Sequence, residues 1–189
     1  MFLLAKGWVL SKQLCDGFNI VLVGPMGVGK TTIGRHLAKN LKMRFVDSDR
    51  EIERQMGVDV PLIFELEGEN GFRKRESSVI EALTSQRDLV LATGGGAVLD
   101  ARSRELMRRN SVVVYLSADV DRLLERTAKD TNRPLLQTDN PRERIQELLA
   151  FRGPLYQEVA DFMVNTGNRT VKTVIKEILA QIPKKCSPQ

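Results

Sequence analysis

The chain has 189 residues, 42% of them hydrophobic and 28% charged, with a formal net charge of +5 and a sequence pI near 9.4. These are the values of one globular domain large enough to bury a sizeable core. The basic residues are scattered and not massed in one run, which argues against a nucleic-acid binder, while Cys15 and Cys186 form no C-x-x-C or metal-type spacing and fit a reducing cytoplasm.

Met1 to Leu10 is fairly apolar but carries Lys6. It is too short to span a membrane and lacks the basic start and small-residue cleavage site of a signal peptide. Residues 1–18 therefore read as a loosely attached, disordered extension in which Trp8 packs locally.

Asn19 to Val23 is a run of β-formers and predicts a buried strand. Directly after it stands Gly24-Pro25-Met26-Gly27-Val28-Gly29-Lys30-Thr31, which fits G-x-x-x-x-G-K-[ST] at every fixed position. Thr32 to Leu41 then predicts a helix. Glycines let the backbone wrap a phosphate with several N–H groups turned inward, and the helix opening at Lys30 adds its positive end. Lys30 can reach the β/γ-phosphates, and the Thr31 hydroxyl can ligate Mg²⁺. This context predicts a nucleoside triphosphate site but names no acceptor, because ATPases, GTPases and kinases share the loop.

Arg44 to Asp47 predicts a short strand that ends in an acid. Asp49 to Met56 reads as a helix stopped by Gly57, Pro61 to Glu67 as a short helix, and Glu69 to Ser85 as a longer one. Leu89 to Ala92 is a strand running into Thr93-Gly94-Gly95-Gly96. Ala101 to Arg109 is helical, Val112 to Leu116 a central strand, and Asp119 to Lys129 helical. Asp130 to Asn140 is polar and reads as a mobile loop. Arg142 to Val159 is helical with a bend or break expected at Gly153-Pro154. Phe162 to Val164 is a last strand, Thr170 to Ile182 a last helix, and 183–189 a tail. Strands separated by helices throughout predict a parallel sheet covered on both faces. Ligands then collect at the carboxyl ends of the strands, which gathers Gly24 to Thr31, Asp47 with Asp49, Gly94 to Gly96 and the loop after Leu116 into one cleft.

Several residues in that cleft carry possible chemistry. Of Asp47 and Asp49, one can orient Mg²⁺ and the other can take a hydroxyl proton. Taken alone, Asp-Ser-Asp at a strand end is more often a helix N-cap, with Ser48 or Asp49 as the cap. Beside a phosphate loop the functional reading is favoured. Arg73 and Glu76, one helical turn apart, can form a fork for a carboxylate, but the spacing alone favours an exposed ion pair of small value. Three successive glycines suit a close ligand approach or positive φ. Arg133 in the polar loop can close over a triphosphate, and Arg152 can bind an anionic substrate. His36 reads as a surface residue.

The ordered set of Gly24 to Arg35, Asp47-Ser48-Asp49, Gly71-Phe72-Arg73, Leu91 to Gly96, Arg133-Pro134-Leu135-Leu136 and Arg152-Gly153-Pro154-Leu155-Tyr156 resembles the shikimate kinases, over about Asn19 to Ile182. The resemblance implies a single three-layer α/β P-loop kinase domain over residues 19–182. Its five-stranded parallel sheet is in the order 2-3-1-4-5, flanked by helices, with a mobile lid at about 130–140. It implies transfer of the γ-phosphoryl of ATP to the 3-hydroxyl of shikimate, in chorismate and aromatic amino acid biosynthesis, by a cytoplasmic monomer that uses Mg²⁺ and neither nucleic acid nor membrane. On the resemblance, Gly27, Val28, Gly29, Lys30, Thr31 and Thr32 cradle the phosphates. Thr31 ligates the metal and Asp47 lies in its water shell. Asp49 holds ring hydroxyls and is the base or orienter. Arg73 and Arg152 clamp the carboxylate beside Gly94, Gly95 and Gly96, with Glu76 supporting Arg73. Lys30 and Arg133 neutralise phosphate charge, and Arg126 and Arg169 resemble adenine-side residues. Leu89 to Ala92 has no Walker B aspartate, which leaves Asp47 as the acid near the metal, and Met1 to Phe18 has no counterpart in the family pattern. Two other readings stay open on the residues alone: a gluconate-kinase-like enzyme, separable by a substrate panel, and a nucleotide-dependent switch, which predicts no acceptor-dependent ADP release.

Overall fold

The computed structural model describes residues 17–109, 111–128 and 138–186, with 183–186 described by backbone alone. The expected extension up to residue 16, lid residues 130–137 with Arg133, and residues 187–189 lie outside the described residues. In chain order the elements are β1 (Asn19–Val23), α1 (Lys30–Leu41), β2 (Arg44–Asp47), α2 (Ser48–Met56), α3 (Val60–Thr84) and β3 (Leu89–Ala92). They continue as α4 (Ala101–Arg109), β4 (Ser111–Ser117), α5 (Val120–Thr127), α6 (Pro141–Val159), β5 (Phe162–Asn165) and α7 (Val171–Cys186). The five strands form one sheet in the order β2-β3-β1-β4-β5, and every neighbouring pair is parallel.

Strand side chains alternate between faces, and the core divides accordingly. Ile20 and Leu22 of β1 pack with Val112 and Val114 of β4 against Ile33 and Leu37 of α1 and Ile175 and Ile178 of α7. Val21 and Val23 pack with Leu91, Val113 and Tyr115 against Ile52 of α2, Phe72 and Ile80 of α3, Met107 of α4 and Tyr156 of α6. Each buried Leu, Ile or Val contributes about 1.5–3 kcal/mol relative to exposure. Asn19 is fully buried at the start of β1. Its amide donates to the carbonyls of Thr84 and Gln86 and its Oδ1 accepts from the Leu89 N–H, so it ties the α3–β3 turn to the central strand.

Three local expectations need amendment. α6 runs unbroken through Pro154. Proline removes the hydrogen bond to the carbonyl four residues earlier, but that carbonyl belongs to exposed Ala150, where water can replace the bond. α7 continues to Cys186 and does not stop at Ile182, because no glycine follows Ile182 to cap it. The cap of α2 is Asp47 and neither Ser48 nor Asp49. By contrast, the expected division of the long helix is present: α3 is interrupted at Gly68, where φ is 67° and ψ 179°, a conformation open to glycine.

Central strands bring backbones close together behind the phosphate loop. A Cβ at Gly24 would lie 2.3 Å from the Leu116 carbonyl oxygen of the neighbouring strand, at a φ of +139°. Main chain cannot swing aside as a flexible side chain can. Gly24→Ala should therefore lower unfolding free energy by about 2–4 kcal/mol, from positive-φ strain plus overlap, as measured by urea denaturation.

Candidate active site

β1 ends where the phosphate loop begins, and the loop feeds directly into α1. Gly27 and Gly29 take φ of 77° and 97°, which only glycine adopts without strain. The N-cap of α1 is Gly29, which offers no side-chain cap. The first N–H groups of α1 therefore point at the cleft without a capping side chain, next to the positive end of the helix dipole. Lys30 is buried, and its Nζ donates to the carbonyls of Gly24 (2.7 Å) and Pro25 (2.8 Å). In this conformation the ammonium braces the loop from within.

Two adjoining compartments open at the strand ends. The first, of about 450 Å³, is lined by Gly27 to Thr32 on one side and by Arg126, Thr166 and Arg169 on the other. The second, of about 410 Å³, is lined by Phe64, Phe72, Arg73, Glu76, Gly94 to Gly96 and Arg152. Met26, Thr31, Asp47, Asp49 and Gly95 face both. A group bound in one compartment meets a group bound in the other along this shared wall.

Asp47 and Asp49 occupy the seam in different ways. Asp47 Oδ1 accepts from the N–H groups of Asp49 (3.2 Å) and Arg50 (3.4 Å), while its Oδ2 accepts from the Thr31 hydroxyl at 2.7 Å. Capping and site duty are thus one role: the cap fixes a carboxylate against Thr31 at the foot of the first compartment. Asp49 makes no such bonds to backbone. Burial, then Glu76 and Asp47 nearby, push its carboxyl from 3.8 up to about 7, against the opposing pull of Lys30 and Arg73. An acid balanced near neutrality at a reaction seam suits proton transfer.

The Arg73–Glu76 pair is not the exposed ion pair that its spacing alone favoured. Glu76 is 2% exposed, and Arg73 Nη1 donates to it at 2.6 Å. Arg73 also donates from Nη2 to Glu69 at 2.9 Å and lies over the Phe72 ring, 5.3 Å from its centroid. Burial pushes the Glu76 carboxyl up, against Arg73. Arg152 is 5% exposed; burial, with Arg73 as a nearby like charge, pulls its guanidinium down, and its Nε is buried without a hydrogen-bond partner. Two guanidinium groups close enough to repel each other border one compartment, and an anion there relieves the repulsion.

Of the two reasons expected for the glycine run, positive φ does not apply. None of Gly94, Gly95 and Gly96 has positive φ. A Cβ at Gly94 would stand 2.3 Å from Glu76 Oε1 and 2.6 Å from Asp49 Oδ1, and one at Gly96 would stand 2.3 Å from the Arg73 guanidinium. These two positions are glycine to make room for the charged side chains of the site. Gly95 alone of the three faces both compartments.

Other expected residues take varied positions. Arg126 borders the first compartment, yet its guanidinium donates to the carbonyls of Val28, Thr166 and Gly167 and to the Thr166 hydroxyl. It clips the phosphate loop to the β5–α7 connection. Arg169 lines the same end, paired with Glu177 at 2.5 Å. His36 is exposed, as expected. Two contributors have no site role in the sequence reading, where Ser48 is only a candidate cap and Tyr156 only part of the Arg152 to Tyr156 run. Ser48 is fully buried and its Oγ accepts from the Gly94 N–H at 2.9 Å, joining the acid pair to the glycine turn. Tyr156, four residues after Arg152, is 1% exposed and its hydroxyl donates to the Gly95 carbonyl. The i,i+4 spacing from Arg152 was the available signal for Tyr156; for Ser48 there was only its place between two acids.

A parallel sheet in this order, a glycine-rich phosphate loop and a second compartment opposite it define a P-loop kinase of the type that acts on small molecules. The family model described as shikimate kinase matches residues 26–183. A shikimate kinase of Methylococcus capsulatus is 56% identical over 85% of this chain and 90% of its own length. A shikimate kinase structure from Acinetobacter baumannii, in complex with shikimate, superposes with a TM-score of 0.89 at 50% identity, covering 93% of this chain and 98% of that one. A gluconokinase structure from Sinorhizobium meliloti has a TM-score of 0.57 at 17% identity, over 90% of this chain and 94% of that one, and shares the fold alone. The chain belongs to the shikimate kinase family.

Proposed function

We propose that the enzyme transfers the γ-phosphoryl of ATP to the 3-hydroxyl of shikimate, giving ADP and shikimate 3-phosphate on the way to chorismate and the aromatic amino acids. The observation that carries the acceptor assignment is the convergence of buried Arg73 and Arg152 on the compartment that shares Asp49 with the phosphate loop. The Acinetobacter relative, which binds shikimate at 50% identity, supports seating that acid here. The gluconate-kinase-like reading has only a shared fold behind it.

ATP lies in the first compartment, with its β- and γ-phosphates on the N–H groups of Gly27 to Thr32 and its adenine toward Arg126 and Arg169. Shikimate lies in the second. Its carboxylate meets Arg73 and Arg152, and its ring is bordered by Phe64, Phe72 and the Gly94 to Gly96 backbone. Asp49 accepts the proton of the 3-hydroxyl as that oxygen bonds to the γ-phosphorus and the bond to the ADP oxygen breaks. Lys30 leaves its loop carbonyls to meet phosphate oxygens, and Arg133 is assigned its phosphate contact on the family resemblance.

Thr31 and Asp47 fit a magnesium ion. A hydroxyl and a carboxylate oxygen 2.7 Å apart are hard donors. Among the described residues no three or more His, Cys, Asp or Glu side chains form a cage, and Mg²⁺ with nucleotides typically takes only one or two protein ligands beside phosphate oxygens and water. When bound, it offsets charge on the β- and γ-phosphates.

We read the enzyme as a cytoplasmic monomer; among the described residues no helix is long and apolar enough to cross a membrane. Its basic excess serves anionic small molecules and not nucleic acid, since many surface arginines already pair with carboxylates, including Arg50, Arg54, Arg102 and Arg144. ADP formation in the presence of Mg²⁺ should rise at least tenfold over background when shikimate is added, and stay at background with gluconate. Equal release with both, or none that depends on an acceptor, would overturn the assignment.

A further inference from the structure

Beyond the residues that meet shikimate, α6 carries a buried tyrosine wired to both sides of the acceptor compartment. Arg152 and Tyr156 lie one turn apart on α6 and both are buried. The Tyr156 ring stacks on Tyr115 of β4, with centroids 5.1 Å apart and planes at 29°. This holds the ring against the central sheet and fixes where its oxygen sits. That hydroxyl donates to the carbonyl of Gly95, the glycine that faces both compartments. The Arg152 guanidinium adjoins the same hydroxyl, and both side chains border a small recess with Pro25 and Met26.

We propose that Tyr156 is a positioning residue for the acceptor, holding Arg152 and the Gly95–Gly96 peptide in fixed relation so that they meet the acid's carboxylate together. The inference rests on the reading that Arg152 clamps that carboxylate. Its physical basis is the phenol's double capacity: the O–H donates once and its lone pairs accept. The donated bond goes to Gly95. The hydroxyl's lone pairs are open to the adjoining Arg152 guanidinium, whose Nε is buried without a hydrogen-bond partner. The peptides here are trans, so fixing the Gly95 carbonyl also fixes the opposite direction of the Gly96 N–H. A three-glycine turn otherwise has the most backbone freedom a chain can have. Tyr156 removes that freedom where the acceptor binds, which lowers the ordering entropy owed on binding.

Tyr156→Phe removes only the hydroxyl and keeps the ring on Tyr115, so the fold should survive with a melting temperature within a few degrees of the parent. Steady-state kinetics with both substrates varied should show the KM for shikimate raised about tenfold, in line with loss of a hydrogen bond to a charged group, and the KM for ATP within twofold. Arg152→Ala and Arg152→Lys should each raise the shikimate KM, and adding Tyr156→Phe to either should raise it further by clearly less than the tenfold it causes alone, because only the Gly95 contact is left to lose. An unchanged shikimate KM in Tyr156→Phe, with a raised one in the Arg152 variants, overturns the inference while leaving the clamp intact. An unchanged shikimate KM in both Arg152 variants overturns the clamp, and the Tyr156 inference with it. Fully multiplicative effects, or equal loss for ATP and shikimate, mean a purely structural role and also overturn the inference.

Discussion

Asp49→Asn is expected to lower kcat by about 100- to 10,000-fold, the range for loss of a positioned proton acceptor, while the dissociation constant for ATP stays within threefold. Asparagine keeps the shape and can still receive a hydrogen bond, but it cannot take up the hydroxyl proton. ATP should be indifferent, because its phosphates rest on the loop backbone. In the parent enzyme, kcat/KM for shikimate should fall as pH drops through about 7, where the carboxyl becomes protonated. Turnover near the parent level in the variant would remove Asp49 from the proton path.

The same change should act on stability with a predictable sign. The folded state raises the Asp49 carboxyl from 3.8 to about 7, so between these values folded protein binds more protons than unfolded protein. Stability associated with this group is therefore full below about pH 4 and declines as pH rises through 7. A neutral amide in its place carries no such penalty. In the absence of substrates, Asp49→Asn should melt above the parent at pH 8, and the gap should close toward pH 5. A variant less stable than the parent at pH 8 would contradict the burial argument. Lower activity with higher stability is the expected trade at a site built to hold an uncomfortable charge.

Arg73→Ala should raise the KM for shikimate by about 100-fold or more, since truncating one member of a buried charge pair typically costs about 2–5 kcal/mol. The KM for ATP should change less than threefold. The substitution also leaves Glu76 buried without its cation, which threatens the fold itself. Arg73→Ala with Glu76→Gln removes that stranded charge and should recover most of the melting temperature without recovering shikimate affinity. Arg73→Lys retains a charge but not the two-pronged geometry, and should fall between parent and alanine. Equal losses for ATP and shikimate would dissolve the division into two compartments.

Legibility in the chain varies from residue to residue. Gly24 to Thr31 was legible because phosphate binding needs a contiguous loop: the glycines, the lysine and the following helix are neighbours in sequence and in space. The sheet was legible because Val21, Leu91 and Val113 sit in unbroken apolar runs that only doubly covered strands require. Arg73 and Glu76 were harder. Their spacing is that of any surface ion pair, and only the burial of Glu76 under Gly94 distinguishes them. For the glycine run, positive φ is not the reason: Gly94 and Gly96 are crowded by side-chain atoms from α2 and α3, while Gly95 stays open to both compartments. Ser48 and Tyr156 stand inside motifs, but their site roles depend on contacts with Gly94 and Gly95 that are distant in sequence.

Sequence by itself determined the nucleotide half of this enzyme, the alternation of strands and helices, and the two acids at the end of β2. These are properties of short stretches, governed by local dihedral needs and periodic burial. Tertiary structure decided which charges share one compartment, and so which of them the proposed reaction can use. Asp49 is brought near neutrality, and Arg73 and Arg152 are set against each other, by contacts among β2, α2, α3 and α6. Electrostatic strength depends on distance and dielectric in three dimensions, and neither is written in the spacing of residues along the chain.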